Sequence, residues 1–375
     1  MHARLRLLSL LLALVWLMLP PPLAGQPRRK VVIDQDCRGP ATTDMQSILV
    51  FIQSPEIQTL GITVVSGDQW RDEEVAHTLR LLEIIGRTDI PVVPGAVFPL
   101  INSKEAVKRW EKIYGKVAYQ GAWNEQTVGN YPGAWNRGRY YRPFEVPPLP
   151  EGNPTTKPAD EDAAHFLIRM VRQYPHEVTV YAAGPLTNLA LAIAIDPYFA
   201  ELTKELVIMG GSIAPAYERY DQVTAIRREF NFWWDPEAAH IVLRAPWPKI
   251  TVTTVDISIK TRLRKAMIEE IGKAQTPVAQ YLAKWADEEY MWDELAAAAW
   301  LEPNIITKQE QLYMDVSIDH GAGYGDTLVW TAGNRPGLGE RQVNVQVDLD
   351  KEKFYQLFID LMKRPTPAAK TAKGS

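Results

Sequence analysis

Several familiar chemistries are closed to this chain by scarcity alone. It has one cysteine, Cys37, in 375 residues, and a single thiol makes neither an intramolecular disulfide nor a thiolate zinc cluster. The six histidines offer little, because His77, His165 and His240 fall inside helical periods where packing or surface roles suffice. No serine stands in a nucleophile-elbow pattern, and no glycine loop of the phosphate-binding type is present. Neither sign of charge dominates: 41 Lys and Arg face 45 Asp and Glu, a net of -4, which leaves no electrostatic footprint for nucleic acid or an anionic membrane. The apolar run Leu7 to Leu19 is shorter than the about 20 residues a helix needs to cross about 30 Å of hydrocarbon. Disorder is excluded as well, since 46% hydrophobic and 23% charged residues are the proportions of a packed domain.

That short apolar run has a different reading. Arg4 and Arg6 precede it, and prolines and Leu23, Ala24, Gly25 follow it, which is the layout of a secretory signal peptide over residues 1–25. The expected location is periplasmic or secreted, with no membrane attachment after cleavage. Residues 26–364 read as a single domain and 365–375 as a disordered polar tail.

From Val31 onward, β-branched runs alternate with helical periods, the pattern of an α/β fold with an open, mostly parallel sheet and helices on both faces, a Rossmann-like core. Strands are expected at Val31–Asp36, Gln58–Val65, Glu177–Ala182, Lys204–Met209 and Lys249–Val255. Helices are expected at Asp44–Gln53, Arg71–Ile85, Asp160–Gln173, Pro185–Ile195, Asp235–Arg244 and Asp293–Leu301, with Asp160 and Asp235 as N-caps. The runs Gln311–Ile318, Thr327–Ala332 and Gln342–Leu349 look like antiparallel strands, and a last helix covers Glu352–Lys363. Between them, residues 97–158 are rich in Trp, Pro and Gly, have weak periodicity, and carry Gly-Ala-Trp-Asn twice, at 121–124 and 133–136. Two copies do not make a repeat protein. A segment this long reads as an insertion over a site.

In an open parallel sheet the ligand lies beyond the carboxyl ends of the strands, and here those ends are acidic. The first strand ends in Asp34, Gln35, Asp36, with Asp44 a loop later. The second ends in Ser66, Gly67, Asp68. A helix begins at Asp293 behind Trp292. Carboxylates gathered at one edge repel one another unless a hard cation joins them, so the pattern points to a calcium or magnesium site. Taken singly, Asp44 and Asp293 also suit helix N-caps, and Cys37 suits a small buried residue better than a nucleophile.

In combination these runs resemble the nucleoside hydrolase family, the inosine-uridine-preferring N-ribohydrolases, from about Val31 to Pro303. Asp34, Gln35, Asp36 are similar to the family's opening motif. By resemblance, Asp36 is a calcium ligand and the general base, and Asp44 the motif's closing ligand. Tyr181–Asn188, ending Gly-Pro-Leu-Thr-Asn, is similar to the stretch whose carbonyl, here that of Ala183, ligates the metal. Ile208, Met209, Gly210, Gly211 matches the next strand and its ribose-facing methionine. Glu229, Phe230, Asn231 followed by Asp235, Pro236, Glu237 is the most family-specific run, with Glu229 and Asn231 on the ribose, and Asp293 matches the last calcium ligand. Asp68 joins the substrate-facing carboxylates.

Two departures stand out. The loop between Asp36 and Asp44 is about three residues longer than the family's, and Thr43 stands where an aspartate bonds a ribose hydroxyl. Trp292 occupies the position where some members have a histidine acid, which resembles the purine-preferring branch.

The reaction so implied is calcium-dependent hydrolysis of the N-glycosidic bond of a ribonucleoside, with positive charge building on the ribose and negative charge on the base. Asp36 accepts the water's proton. Trp292, with Trp123 or Trp135 opposite, stacks on a purine and eases its protonation. The expected partners are a small nucleoside and further copies of the chain, with no nucleic acid. Two rivals remain. A haloacid-dehalogenase-like phosphatase uses a similar pair of aspartates but leaves Glu229–Asn231 and Asp293 unexplained. An exported nucleoside- or sugar-binding protein with a retained metal site and little catalysis is the other.

Overall fold

The computed structural model describes residues 27–117, 119–124, 142–213 and 228–369. The signal-peptide segment, Trp135 and the second Gly-Ala-Trp-Asn copy lie outside the described residues. Strand β1 (Arg29–Gln35) shows why the sheet is central: Val31 and Ile33 point into one apolar cluster and Val32 into another. Side chains alternating across a strand can do this only if both faces are covered. The same alternation runs through β5 (Glu205–Met209), where Val207 and Met209 face the first cluster and Leu206 and Ile208 the second.

With β2 (Ile57–Val64), β3 (Val92–Pro94), β4 (Val178–Ala182), β6 (Ile250–Thr253), β7 (Ile306–Val316), β8 (Thr327–Trp330) and β9 (Arg341–Leu349), these make a nine-stranded sheet in the order β3-β2-β1-β4-β5-β6-β9-β7-β8. The first six strands are parallel in doubly wound order, and it reverses between β1 and β4, the place where such sheets open a crevice. The C-terminal strands need one correction. β9 is antiparallel to β7 but parallel to β6, so it joins the antiparallel edge to the parallel sheet. Direction of pairing leaves no local mark on a strand's sequence.

Helices α1 (Thr43–Ile52), α2 (Arg71–Ile85), α10 (Lys265–Gly272), α11 (Pro277–Trp285), α12 (Trp292–Leu301) and α13 (Lys351–Lys363) supply the first cluster. Helices α4 (Ala163–Gln173), α5 (Thr187–Ile195) and α8 (Pro236–Arg244) supply much of the second. The short helices α6 (Phe199–Leu202), α7 (Phe230–Trp234) and α9 (Val255–Ser258) fill connections. The N-cap of α4 is Asp162, which accepts from the peptide of His165, and not Asp160, whereas Asp235 does cap α8 through Ala238. Among the described residues no helix is long and apolar enough to cross a membrane.

Residues 97–158 hold a helix that their weak periodicity did not announce, α3 (Lys104–Tyr114), capped by Ser103. Only Val107 of it is buried, so its sequence is mostly charge. Past it, the peptide of Ala122 donates to the carbonyl of Gly67, laying this segment on the loop after β2. Trp123 stacks on Trp234 with ring centroids 3.8 Å apart. Such a pair contributes about 0.5–1.5 kcal/mol beyond its buried area.

Candidate active site

The site is built at the carboxyl ends of β1 and its neighbours. Helices α1 and α12 lie side by side beneath it and begin alike: Thr43 and Asp44 open one, Trp292 and Asp293 the other. The cap positions are Thr42 and Met291, so neither Asp44 nor Asp293 is an N-cap. Each aspartate stands second in its helix, where the positive end of the helix dipole favours a carboxylate. The two starts are locked together, since the peptide of Asp293 donates to Thr43 Oγ1 at 3.1 Å and that hydroxyl donates to Glu294 Oε2 at 2.6 Å. Thr43 is therefore spent on the helix pair.

Gln35 ties this pair to the strand. Its amide nitrogen donates to Asp293 Oδ2 at 2.9 Å and to Ser47 at 3.1 Å, while its amide oxygen accepts from the peptide of Asp36 at 3.0 Å. Asp36 is buried between two glycines. A Cβ on Gly67 would lie 2.1 Å from Asp36 Oδ2, and one on Gly184 would lie 2.7 Å from the Asp36 nitrogen. Only glycine leaves room for the carboxylate at either place. The peptide of Asp68 donates to Asp36 Oδ2 at 3.0 Å.

Burial pushes the Asp36 carboxyl well above the carboxylate range, and the charges of Asp68, Asp44, Glu74 and Asp293 add to it. Asp293 is raised in the same way, by burial and then by Asp44 and Glu294. Asp44 is pushed up to about 7 by burial and Asp68, against the opposing pull of Arg38. These carboxylates are near enough to feel one another. As placed, however, no three His, Cys, Asp or Glu side chains among the described residues stand close enough to ligate one ion.

Asp34, the other aspartate of the strand end, is fully buried and structural in its contacts. Thr63 and Asn188 donate to its Oδ1 at 2.5 and 2.8 Å, joining β1 to β2 and α5. Burial raises it to about 7 despite these bonds. A carboxylate so enclosed is poorly placed to be the nucleophile of a phosphatase. Ala183 follows β4 and donates its peptide to the carbonyl of Asp34 at 3.0 Å. Cys37 is buried, its thiol 3.6 Å from the carbonyl of Gln35.

On the β5 side, Glu229 caps α7, accepting from the peptides of Asn231 at 2.9 Å and Phe232 at 3.1 Å, and from Gly211 at 2.8 Å. Asn231 donates its amide to the carbonyl of Met209 at 3.1 Å. Met209, Glu229 and Asn231 are thus one connected unit. Trp292 is half-buried, its ring 5.0 Å from that of Tyr290. Trp123, by contrast, is buried against Trp234.

Sequence reasoning passed over three groups here. Arg38 lies in the lengthened loop, buried, within 3.3 Å of Asp68 and 3.5 Å of Glu289. Glu289 and Glu294 are also buried, and burial raises both. A cation two residues after Asp36 was the available signal.

A parallel sheet whose switch point gathers buried carboxylates under two paired helix starts defines the α/β class of hydrolytic site that uses carboxylates for acid–base or metal work. The chain belongs to the nucleoside hydrolase family, the model for inosine-uridine preferring nucleoside hydrolases matching residues 31–356. Its members are N-glycosyl hydrolases acting on ribonucleosides, and they generally bind a metal, commonly calcium. Among relatives, a probable uridine nucleosidase of Arabidopsis thaliana is 30% identical over 263 residues, 70% of either chain. A pyrimidine-specific ribonucleoside hydrolase of Photobacterium profundum is 28% identical, covering 89% of this chain and 97% of its own. In fold, the chain is similar to a plant nucleoside hydrolase at a TM-score of 0.69 and 24% identity, over 90% of this chain and 100% of that one. A purine-preferring ribonucleoside hydrolase of Gardnerella vaginalis gives 0.68 at 20%, over 89% and 98%.

Proposed function

We propose that the chain is an exported, calcium-dependent hydrolase of purine ribonucleosides, releasing ribose and free base. One observation carries the reading: Asp36 lies just past β1 beside the switch point, buried within reach of Asp44, Asp68 and Asp293, with its proton affinity raised by burial and further by their charge. Hard oxygen donors of this kind suit a divalent cation. By family resemblance Asp36, Asp44, Asp293 and the carbonyl of Ala183 would hold it, the three carboxylates drawing together from their present spacing as the ion binds. When bound, the ion supplies positive charge that keeps these carboxylates ionised and makes a neighbouring water more acidic.

The remaining chemistry belongs to the chain's own residues. The peptide of Asp68 orients the Asp36 carboxylate through Oδ2, and that carboxylate takes the proton of the attacking water. The bond between ribose and base breaks with its electron pair leaving on the base, and the ionised carboxylates, Asp68 included, stabilise the cationic sugar. Met209, Glu229 and Asn231 form the ribose-facing wall. Trp292 stacks on the purine, favouring its protonation by about 1–2 kcal/mol once water is excluded.

The test is ribose release from inosine, adenosine, uridine and cytidine in excess over enzyme, with and without a chelator. Purine turnover that the chelator abolishes and calcium restores is expected. The names of the curated relatives favour a pyrimidine base instead, and faster uridine cleavage would establish that reading. Tight binding without turnover would make the chain a binding protein.

A further inference from the structure

The hydrolytic scheme gives Arg38 no task, yet the chain keeps this guanidinium inside, 6% exposed. Burying a cation costs several kcal/mol unless its partners are ordered around it, and here the partners come from three separate segments. Nη1 lies 3.3 Å from Asp68 Oδ2 in the loop after β2 and 3.4 Å from the hydroxyl of Tyr119 in the segment between β3 and β4. Nη2 lies 3.5 Å from Glu289 Oε2, just before α12. The Arg38 loop is itself anchored: the peptide of Arg38 donates to the carbonyl of Asp36 at 2.7 Å, the Thr42 hydroxyl bonds the Arg38 carbonyl, and the peptide of Ala41 donates to the Tyr281 hydroxyl at 2.8 Å. Asp68, the residue Arg38 holds, is the one whose peptide N–H fixes Asp36 Oδ2. Its neighbour Gly67 packs directly on that oxygen.

We propose that Arg38 is a positioning residue for the hydrolysis: its ion pair with Asp68 presses the Gly67–Asp68 turn against Asp36 and fixes the carboxylate's orientation. The proposal rests on Asp36 being the base. A planar guanidinium reaches Asp68, Tyr119 and Glu289 together, which a lysine ammonium on a flexible stem cannot do.

The experiment compares wild type, Arg38→Ala, Arg38→Lys and Asp68→Asn by steady-state kinetics with calcium present and by amide hydrogen exchange. Misplacing a reacting group by about 1 Å costs up to about 100-fold, so Arg38→Ala is expected to lose about 10- to 100-fold in kcat, with KM changed by less than about threefold. Arg38→Lys recovers part of the loss, and added guanidinium restores part of the Arg38→Ala rate. Amides at 66–69 exchange about threefold faster or more in Arg38→Ala, while those of β9 are unchanged. Wild-type kcat and unchanged exchange at 66–69 would overturn the proposal. If Arg38→Ala loosens the entire sheet, Asp68→Asn decides, with local loosening at 66–69 supporting the role and unchanged exchange removing it. If wild type releases no ribose from any nucleoside, the assignment of Asp36 as base fails. The exchange comparison then still decides whether Arg38 holds the turn.

Discussion

The hydroxyl of Thr43 donates to the carboxylate of Glu294 at 2.6 Å while accepting the peptide of Asp293, so one side chain joins the starts of α1 and α12. Glu294 is fully buried and its other oxygen has no hydrogen-bond partner among the described residues. Thr43→Val keeps the shape and removes both bonds, and leaving a buried acceptor unpaired costs about 1–3 kcal/mol. An unfolding free energy from urea titration lowered by that amount, with a correspondingly lower midpoint, is expected. An unchanged midpoint would mean that the two helices are held by apolar packing alone.

Asp36→Ala should lose turnover by at least about 100-fold while nucleoside affinity changes little, because a general base acts in the transition state. Gly184→Ala tests the same carboxylate without replacing it. The added methyl would stand 2.8 Å from Asp36 Oδ1, so activity should fall with the circular dichroism spectrum retained. Full activity in either variant would reassign Asp36 to structure.

Calcium should raise Tm, since a ligand at 100 times its Kd stabilises by about 2.7 kcal/mol. In Asp293→Asn the calcium-induced rise should shrink sharply, whatever happens to the metal-free protein. Equal rises in both would take Asp293 out of the ligand set.

The pH response of the chelated protein has a definite sign. Asp34 and Asp44 are lifted from 3.8 to about 7 in the folded state, so folding favours their protonated forms. Their stabilising contribution is present below pH 3.8 and is lost as pH climbs through about 7. Tm without calcium should therefore fall across that window, with a shallower fall when calcium is bound and in Asp34→Asn. A flat profile for the chelated wild type would contradict the burial of these charges.

Trp292→Ala is expected to slow inosine cleavage at saturating substrate and leave uridine cleavage nearly unchanged. A purine retains N7 as a protonation site that a stacked indole can favour. Uridine has no equivalent ring nitrogen, since its N3 already bears a hydrogen between two carbonyls. Equal losses on both substrates would make Trp292 a packing residue, consistent with its contact to Tyr290.

The parallel core was legible because strands buried on both faces write themselves as unbroken β-branched runs, and Arg71–Ile85 was read to the residue. Helix α3 was not, although Val107, Trp110 and Tyr114 stand at helical spacing, because the Pro-, Gly- and Trp-rich surroundings masked so short a stripe. Nor was β3, three residues long. At the site, Asp36, Asp44, Asp68 and Asp293 were visible because strand and helix ends are where such sheets work. Thr43 was visible only as a missing aspartate. Its bond to Glu294, like the reach of Arg38 to Glu289, joins positions about 250 residues apart, within the range of long-distance contacts that slow folding. Spacing along a chain carries no trace of such pairs.

Gln35 holds the peptide of Asp36 with one end of its amide and Asp293 with the other. During synthesis the strand bearing Gln35 emerges early and α12 emerges late, so the two halves of the site meet only after nearly all of the chain has left the ribosome. A nascent or C-terminally truncated chain that stops short of α12 has Asp36 but not the full acidic set. Assembly of the acidic set is thereby postponed to the end of translation.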